Sequence, residues 1–186
     1  MTFSKDLLVV DIETTGLDPG VYSICSIGAV LLDKSDLKIK DSYYSIVRPS
    51  TILKDNEEKK TFKIHGISLE QMIKEGKSFP VVMAELKAKY GKKVIPASWG
   101  NYFDFEFLKA QCKRQEIEYP FLQRSIDIKS IVEWELHKRN VQIKSMGLFD
   151  VMGILGIFPV GKHHNALFDA INTARILQYL DITHKE

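Results

Sequence analysis

The chain has 186 residues, 45% of them hydrophobic, and a formal net charge of +2. That length suits one ordinary domain, that hydrophobic content excludes a disordered tail, and no apolar run is long enough to span a bilayer. The charge is too small to announce a nucleic-acid binder, and it does not exclude one with a small contact area.

"MTFSKDLLVV" lacks the basic region, long apolar stretch and small-residue cleavage site of a signal peptide. Cys25 and Cys112 lie far apart and form no metal-type pair, so they are expected as reduced thiols in a cytoplasmic protein. Residues 7–13 are rich in Leu and Val and predict a buried strand. Ile24–Asp33 and Ser42–Pro49 predict two more, each a short turn from its neighbour, hence an antiparallel meander. Lys54–Ser68 is polar and reads as a surface loop. "SLEQMIKEG" predicts a short helix capped by Ser68, and "SFPVVMAELKAKYG" a second that stops at Gly91. "KVIPASWG" reads as a fourth strand and "YFDFEFLKAQCKRQEI" as a helix. "RSIDIKSIVEWEL" reads as a short fifth strand running into a helix, followed by the helical "SMGLFDVMGILGI" and a last amphipathic helix, "HNALFDAINTARILQYL". No repeat, low-complexity tract or linker divides residues 1–186, so the expectation is a single domain. The order of elements predicts an α/β sheet with a meander at one edge and parallel strands at the other.

The first strand ends in "LLVVDIETTG", with Asp11 and Glu13 two residues apart. Side chains at i and i+2 of a strand share a face, so Leu7, Val9, Asp11 and Glu13 lie on one side of the sheet. Two like charges beside apolar neighbours repel, and burying an ionised carboxylate requires a proton, a partner cation or a metal. One reading ends the strand at Val10 and leaves both acids in a solvated turn, which the following Thr and Gly residues suit. The other places a divalent cation there, because hard cations take carboxylate oxygens.

"DIETTG" resembles the first motif, Asp-x-Glu-Thr/Ser-x-Gly, of the DnaQ-like 3′–5′ exonucleases that use four acidic residues and a histidine. The second motif, Asn-x-x-Asp followed by Phe-Leu, is matched by Asn101, Asp104, Phe107 and Leu108 in "SWGNYFDFEFL". The third, His-x-Ala-x-x-Asp, is matched by His164, Ala166 and Asp169. All three stand in the family's order. Taken alone, Asp104 shares a helix face with Phe107 and Leu108, where an acid needs a partner. Asp169 alone is explained by the helix dipole, and His164 alone is an ordinary loop histidine with a rival in His163, read here as a neighbouring contact or bystander. Asp127 matches nothing in the pattern and reads as structural.

The resemblance implies a ribonuclease-H-like fold, a mixed five-stranded sheet with helices on both faces. It implies that Asp11, Glu13, Asp104 and Asp169 hold two Mg²⁺ or Mn²⁺ ions and that His164 is the general base. Thr14, Thr15 and Leu17, after the first motif, are then expected to meet the terminal nucleotide, with Asn101 of the second motif. His65 of "FKIHGIS" stands where the family often has Thr and is a candidate stacking contact. Trp99 is a core residue or a stacking platform, and Lys109, Lys113 and Arg114 read as a solvated helix face rather than as a lining for the path of the strand. The implied partner is a single-stranded nucleic-acid 3′ end. "ASWGNYFDFEFLKAQC" with "IEYPF" resembles the branch that trims histone messages, small RNAs and ribosomal RNA ends, which favours RNA over DNA. Two rival classes are a non-cutting binding module on the same fold and a phosphatase with Asp-x-Asp at a strand end.

Overall fold

Strand β1 (Leu7–Thr14) is the axis of the computed structural model, which describes residues 3–183. Leu7, Leu8, Val9 and Val10 are at most 1% exposed, as a strand covered on both faces requires. It pairs antiparallel with β2 (Ile24–Leu32), which pairs antiparallel with β3 (Ile39–Arg48). On its other side β1 runs parallel to β5 (Ile95–Ser98). Two-residue strands close the edges: β4 (Lys77–Ser78) beside β3, and β6 (Ile126–Asp127) beside β5. The order is β4-β3-β2-β1-β5-β6. The sheet is thus mixed, as expected, but has six strands and not five. The added strand, β4, is exposed at both of its residues, so it carries no apolar alternation to read.

The helices are α1 (Asn56–His65), α2 (Leu69–Glu75), α3 (Phe79–Lys89), α4 (Asn101–Arg114), α5 (Ile128–Lys138), α6 (Leu148–Leu155) and α7 (Ala166–Thr183). Alternate residues of β1 feed two cores. Leu8, Val10 and Ile12 pack with Phe79, Leu86 and Phe105 of α3 and α4. Leu7 and Val9 pack with Val132, Val151, Ala170 and Ala174 of α5, α6 and α7. Asp11 and Glu13 continue the second set, on the side of the sheet that α7 covers.

Lys54–Ser68 is not a loop. It contains α1, whose Asp55 side chain accepts from Glu58 N at 2.9 Å and whose end is closed by Gly66 at φ 75°. Only Glu58 and His65 of this helix are buried, so it has no apolar stripe. Asp55 and Glu58 nonetheless have the spacing of a capping box, a local signal that marks a helix start without periodicity. Ser68 caps α2 as expected, accepting from Gln71 N at 3.1 Å. Helix α3 ends at Lys89, and Gly91, at φ 49°, opens a single 3-10 turn.

Candidate active site

At its end β1 leaves regular pairing through an irregularity between Glu13 and Thr14. A cleft of about 360 Å³ opens there, lined by Asp11, Glu13, Asp104, His164 and Asp169 together with Leu17, Ile64, His65, Trp99 and Phe103. Four elements build it. Strand β1 supplies Asp11 and Glu13. Helix α4 supplies Asp104, whose Oδ1 accepts from Ile12 N at 3.2 Å, so the helix is tied to the strand between the two acids. Helix α7 supplies Asp169, whose Oδ2 accepts from His164 N at 3.0 Å. Helix α1 supplies the wall of Ile64 and His65.

Ligand oxygens of Asp11, Glu13 and Asp169 lie within 4.8 Å of one another. Asp104 is 4% and Asp169 6% exposed. The electrostatics follow from that crowding. Desolvation raises the Asp11 carboxyl well above its usual range, and the charges of Asp104, Glu13 and Asp169 raise it further. Desolvation, then Asp169 and Asp104, push Glu13 up to about 8. Burial lifts Asp104 to about 7 against hydrogen bonds from Ser98 and Ile12, and Asp169 to about 6 against the bond from His164. Asp169 Oδ1 is buried without a hydrogen-bond partner. Four carboxylates that resist ionisation together, one with an unpartnered oxygen, fit a divalent metal ion.

His164 sits in the loop before α7 at φ 57°, a left-handed conformation. Its ring stacks on His163, centroids 3.7 Å apart, and His163 packs on Phe149 at 3.9 Å. Desolvation and the neighbouring His163 lower the His164 pKa, so the imidazole is neutral and able to accept a proton. Asn165 then starts α7, its Oδ1 accepting from Leu167 N and Phe168 N.

Residues 8–177 match the family model whose description is Exonuclease. The chain belongs to the exonuclease family. Its DnaQ-like, ribonuclease-H-like fold agrees with that membership. The chain is 31% identical over 182 residues to the DNA polymerase III PolC-type proteins of Thermotoga petrophila and Thermotoga maritima; the match covers 96% of this chain and 12% of each of theirs. Among solved structures it resembles the nuclease domain of 3′hExo, a DEDDh family member bound to rAMP, with TM-score 0.77 and 22% identity over 98% of this chain and 95% of that one. It also resembles E. coli Exonuclease I in complex with a dT13 oligonucleotide, with TM-score 0.80 and 16% identity over 96% of this chain and 41% of that one.

In this member of the exonuclease family the cleft gathers Thr14, Leu17 and His65 of the expected substrate contacts. Leu17 is 68% exposed and its backbone N–H donates to Glu57 Oε1 at 2.5 Å, which fixes the loop after β1. Thr14 Oγ1 donates to Gly16 O at 2.6 Å. His65 is 5% exposed, accepts from Ile67 N at Nδ1, and is held neutral, near 4, by burial. It is therefore part of the cleft wall and not a projecting platform for a base.

Two expected contacts turn away. Thr15 is 1% exposed; it donates from its backbone N–H to Ser23 O and accepts from Ser23 N at Oγ1, so it braces the turn. Asn101 lies within 3.0 Å of Ser98 Oγ, and its amide, oriented toward β6, donates to Ile126 O and accepts from Asp127 N. It holds β5 to β6 behind the cleft. Asp127 caps α5 and accepts from Gly100 N, a structural role. Trp99 packs on the core and lines the cleft, while its Nε1 donates to Met146 O at 3.0 Å. Lys109 pairs with Glu106, and Arg114 donates to Tyr22 O, bracing the β1–β2 loop. Sequence reasoning missed Thr61, Ile64 and Phe103 as lining residues and Glu57 as the support of Leu17. The capping-box spacing was the signal that places the first two, and Glu57, on a helix.

Proposed function

We propose that the domain is a 3′–5′ exonuclease that releases nucleoside 5′-monophosphates from single-stranded nucleic-acid ends. The observation that carries this reading is the meeting of Asp11, Glu13, Asp104 and Asp169 with His164 in one cleft, with an Asp169 oxygen left unpartnered. Asp11, Glu13, Asp104 and Asp169 would hold two Mg²⁺ or Mn²⁺ ions. When bound, such a pair activates water and offsets the charge that develops on a phosphodiester in hydrolysis. His164 accepts the proton of the attacking water at its free ring nitrogen. The water oxygen stays on phosphorus, the P–O3′ bond breaks, and the shortened strand keeps a 3′-hydroxyl. His164 lines the cleft from a left-handed backbone position, and its N–H holds Asp169 in place. Leu17, apolar and exposed at the rim, wedges against the terminal bases, and Thr14 lies beside the terminal sugar.

Ser98-Trp99-Gly100 favours RNA as the polymer; likeness to proteins named DNA polymerase III PolC-type favours DNA. Degradation of 5′-labelled single-stranded RNA and DNA of matched sequence, with Mg²⁺ or Mn²⁺ and with chelator, tests the reading and ranks the two. The expected result is a ladder shortening from the 3′ end, abolished by chelator and by Asp11→Ala. Strands that stay intact while binding the protein would make the domain a non-cutting binding module.

A further inference from the structure

His163, so far only the ring stacked on His164, also belongs to a second donor set. One ligand atom each from His163, His164 and Asp169 lies within 4.8 Å of the others. The set differs in kind from the carboxylate group. Two imidazoles and one carboxylate suit a late divalent transition ion, above all Zn²⁺, whereas Mg²⁺ takes oxygen donors and keeps its waters.

Three observations point the set at a ligand. Asp169 is 6% exposed and its Oδ1 has no hydrogen-bond partner. Its Oδ2 is pinned by His164 N, so the free oxygen has a fixed direction. Among the described residues, no hydrogen bond engages a ring nitrogen of either histidine, so both rings keep an available lone pair. A tetrahedral zinc site with Zn–N bonds of about 2.0–2.1 Å needs donors roughly 3.3 Å apart. For both lone pairs to reach one ion, His163 must turn out of the 3.7 Å stack it makes on His164, and its exposure leaves room for that turn.

We propose that His163, His164 and Asp169 form a Zn²⁺ site that competes with the working cations of the nuclease. Zinc held there takes the lone pair of His164 and an oxygen of Asp169. The inhibitory consequence rests on the exonuclease reading; the zinc site itself does not. His163 thereby makes the enzyme sensitive to the ratio of zinc to magnesium.

The test measures Zn²⁺ affinity by competition with a chromophoric chelator, and the visible spectrum of Co²⁺ as a zinc substitute, both in excess Mg²⁺. His163→Phe keeps a ring against His164 and removes the donor; His163→Gln gives a second variant, and circular dichroism confirms folding. The expected result is zinc binding weakened about tenfold or more, with loss of the four-coordinate cobalt spectrum. The zinc concentration that halves nuclease activity, taken relative to each variant's own rate in Mg²⁺, should rise by the same factor. Equal zinc affinity in wild type and both variants would overturn the proposal and assign any zinc to the carboxylates. Zinc bound through His163 in a protein that cleaves no strand would uphold the site and overturn the nuclease reading alone.

Discussion

Gly28 of β2 lies against the backbone of Ala166 at the start of α7, so closely that a Cβ at position 28 would overlap the Ala166 carbonyl and Leu167 N. Backbone stands on both sides of the contact, and neither side can turn away. This approach seats α7 on the sheet three residues before Asp169. Gly28→Ala is therefore expected to destabilise the fold by about 1–3 kcal/mol, the usual range for overpacking, and to displace Asp169. Urea denaturation read beside the nuclease rate checks it; unchanged stability would mean that α7 is held by other contacts.

The carboxylates predict an unusual pH dependence in the absence of metal. Glu13, Asp104 and Asp169 are raised in the folded state, to about 8, 7 and 6. A raised carboxyl means the folded state keeps protons that the unfolded state releases. Its stabilising share is full below the unfolded value near 4 and is lost as pH climbs through the folded value. His65, lowered to about 4, acts oppositely up to its unfolded value near 6.5. The decline is thus expected most clearly between about pH 6.5 and 8. Melting temperature in chelator should fall across that window, and Mg²⁺ should restore more stability at pH 8 than at pH 6.5. A flat profile would contradict the burial assigned to these acids.

Glu13→Gln separates stability from activity at the same site. In chelator at pH 8 the variant should melt at a higher temperature than wild type, because one member of the repelling group is gone. Its gain on adding Mg²⁺ should shrink, and its nuclease rate should fall about a hundredfold or more. Calorimetry and the labelled-strand assay read both effects.

His164→Asn tests the general base without disturbing the backbone. Asn tolerates the left-handed conformation at φ 57°, which other side chains adopt at a cost of roughly 1–2 kcal/mol. Turnover should fall about 10²–10⁴-fold, the usual contribution of a general base, while melting temperature and Mg²⁺ binding persist. An active His164→Asn protein would move the base elsewhere.

Leu17→Ala examines the rim. With 68% of the side chain exposed, stability should change by less than about 0.5 kcal/mol. A wedge against the terminal bases predicts instead a rise in KM of about tenfold, equivalent to ~1.4 kcal/mol. Steady-state kinetics on a short oligonucleotide distinguishes the two.

The sequence by itself determined the antiparallel meander and the parallel strands of the sheet, the shared face of Asp11 and Glu13, and the family of the chain. Each of these depends on spacing within one element or on motif order along the chain, and both survive in a one-dimensional record. The helix Asn56–His65 within Lys54–Ser68 left a local mark too, the capping residues Asp55 and Gly66, though no apolar face. The tertiary structure alone decided the rest. Thr15 and Asn101, close in sequence to cleft residues, turn away from the cleft because Ser23 and β6 engage their polar groups. His163, unremarkable in a loop, met His164 and Asp169 through the turn that starts α7. Asp104 meets Ile12 across 92 positions of chain. Spacing fixes which way a side chain points from its own helix or strand, but the contact between two elements is set by packing and hydrogen bonds that form only when the chain has folded.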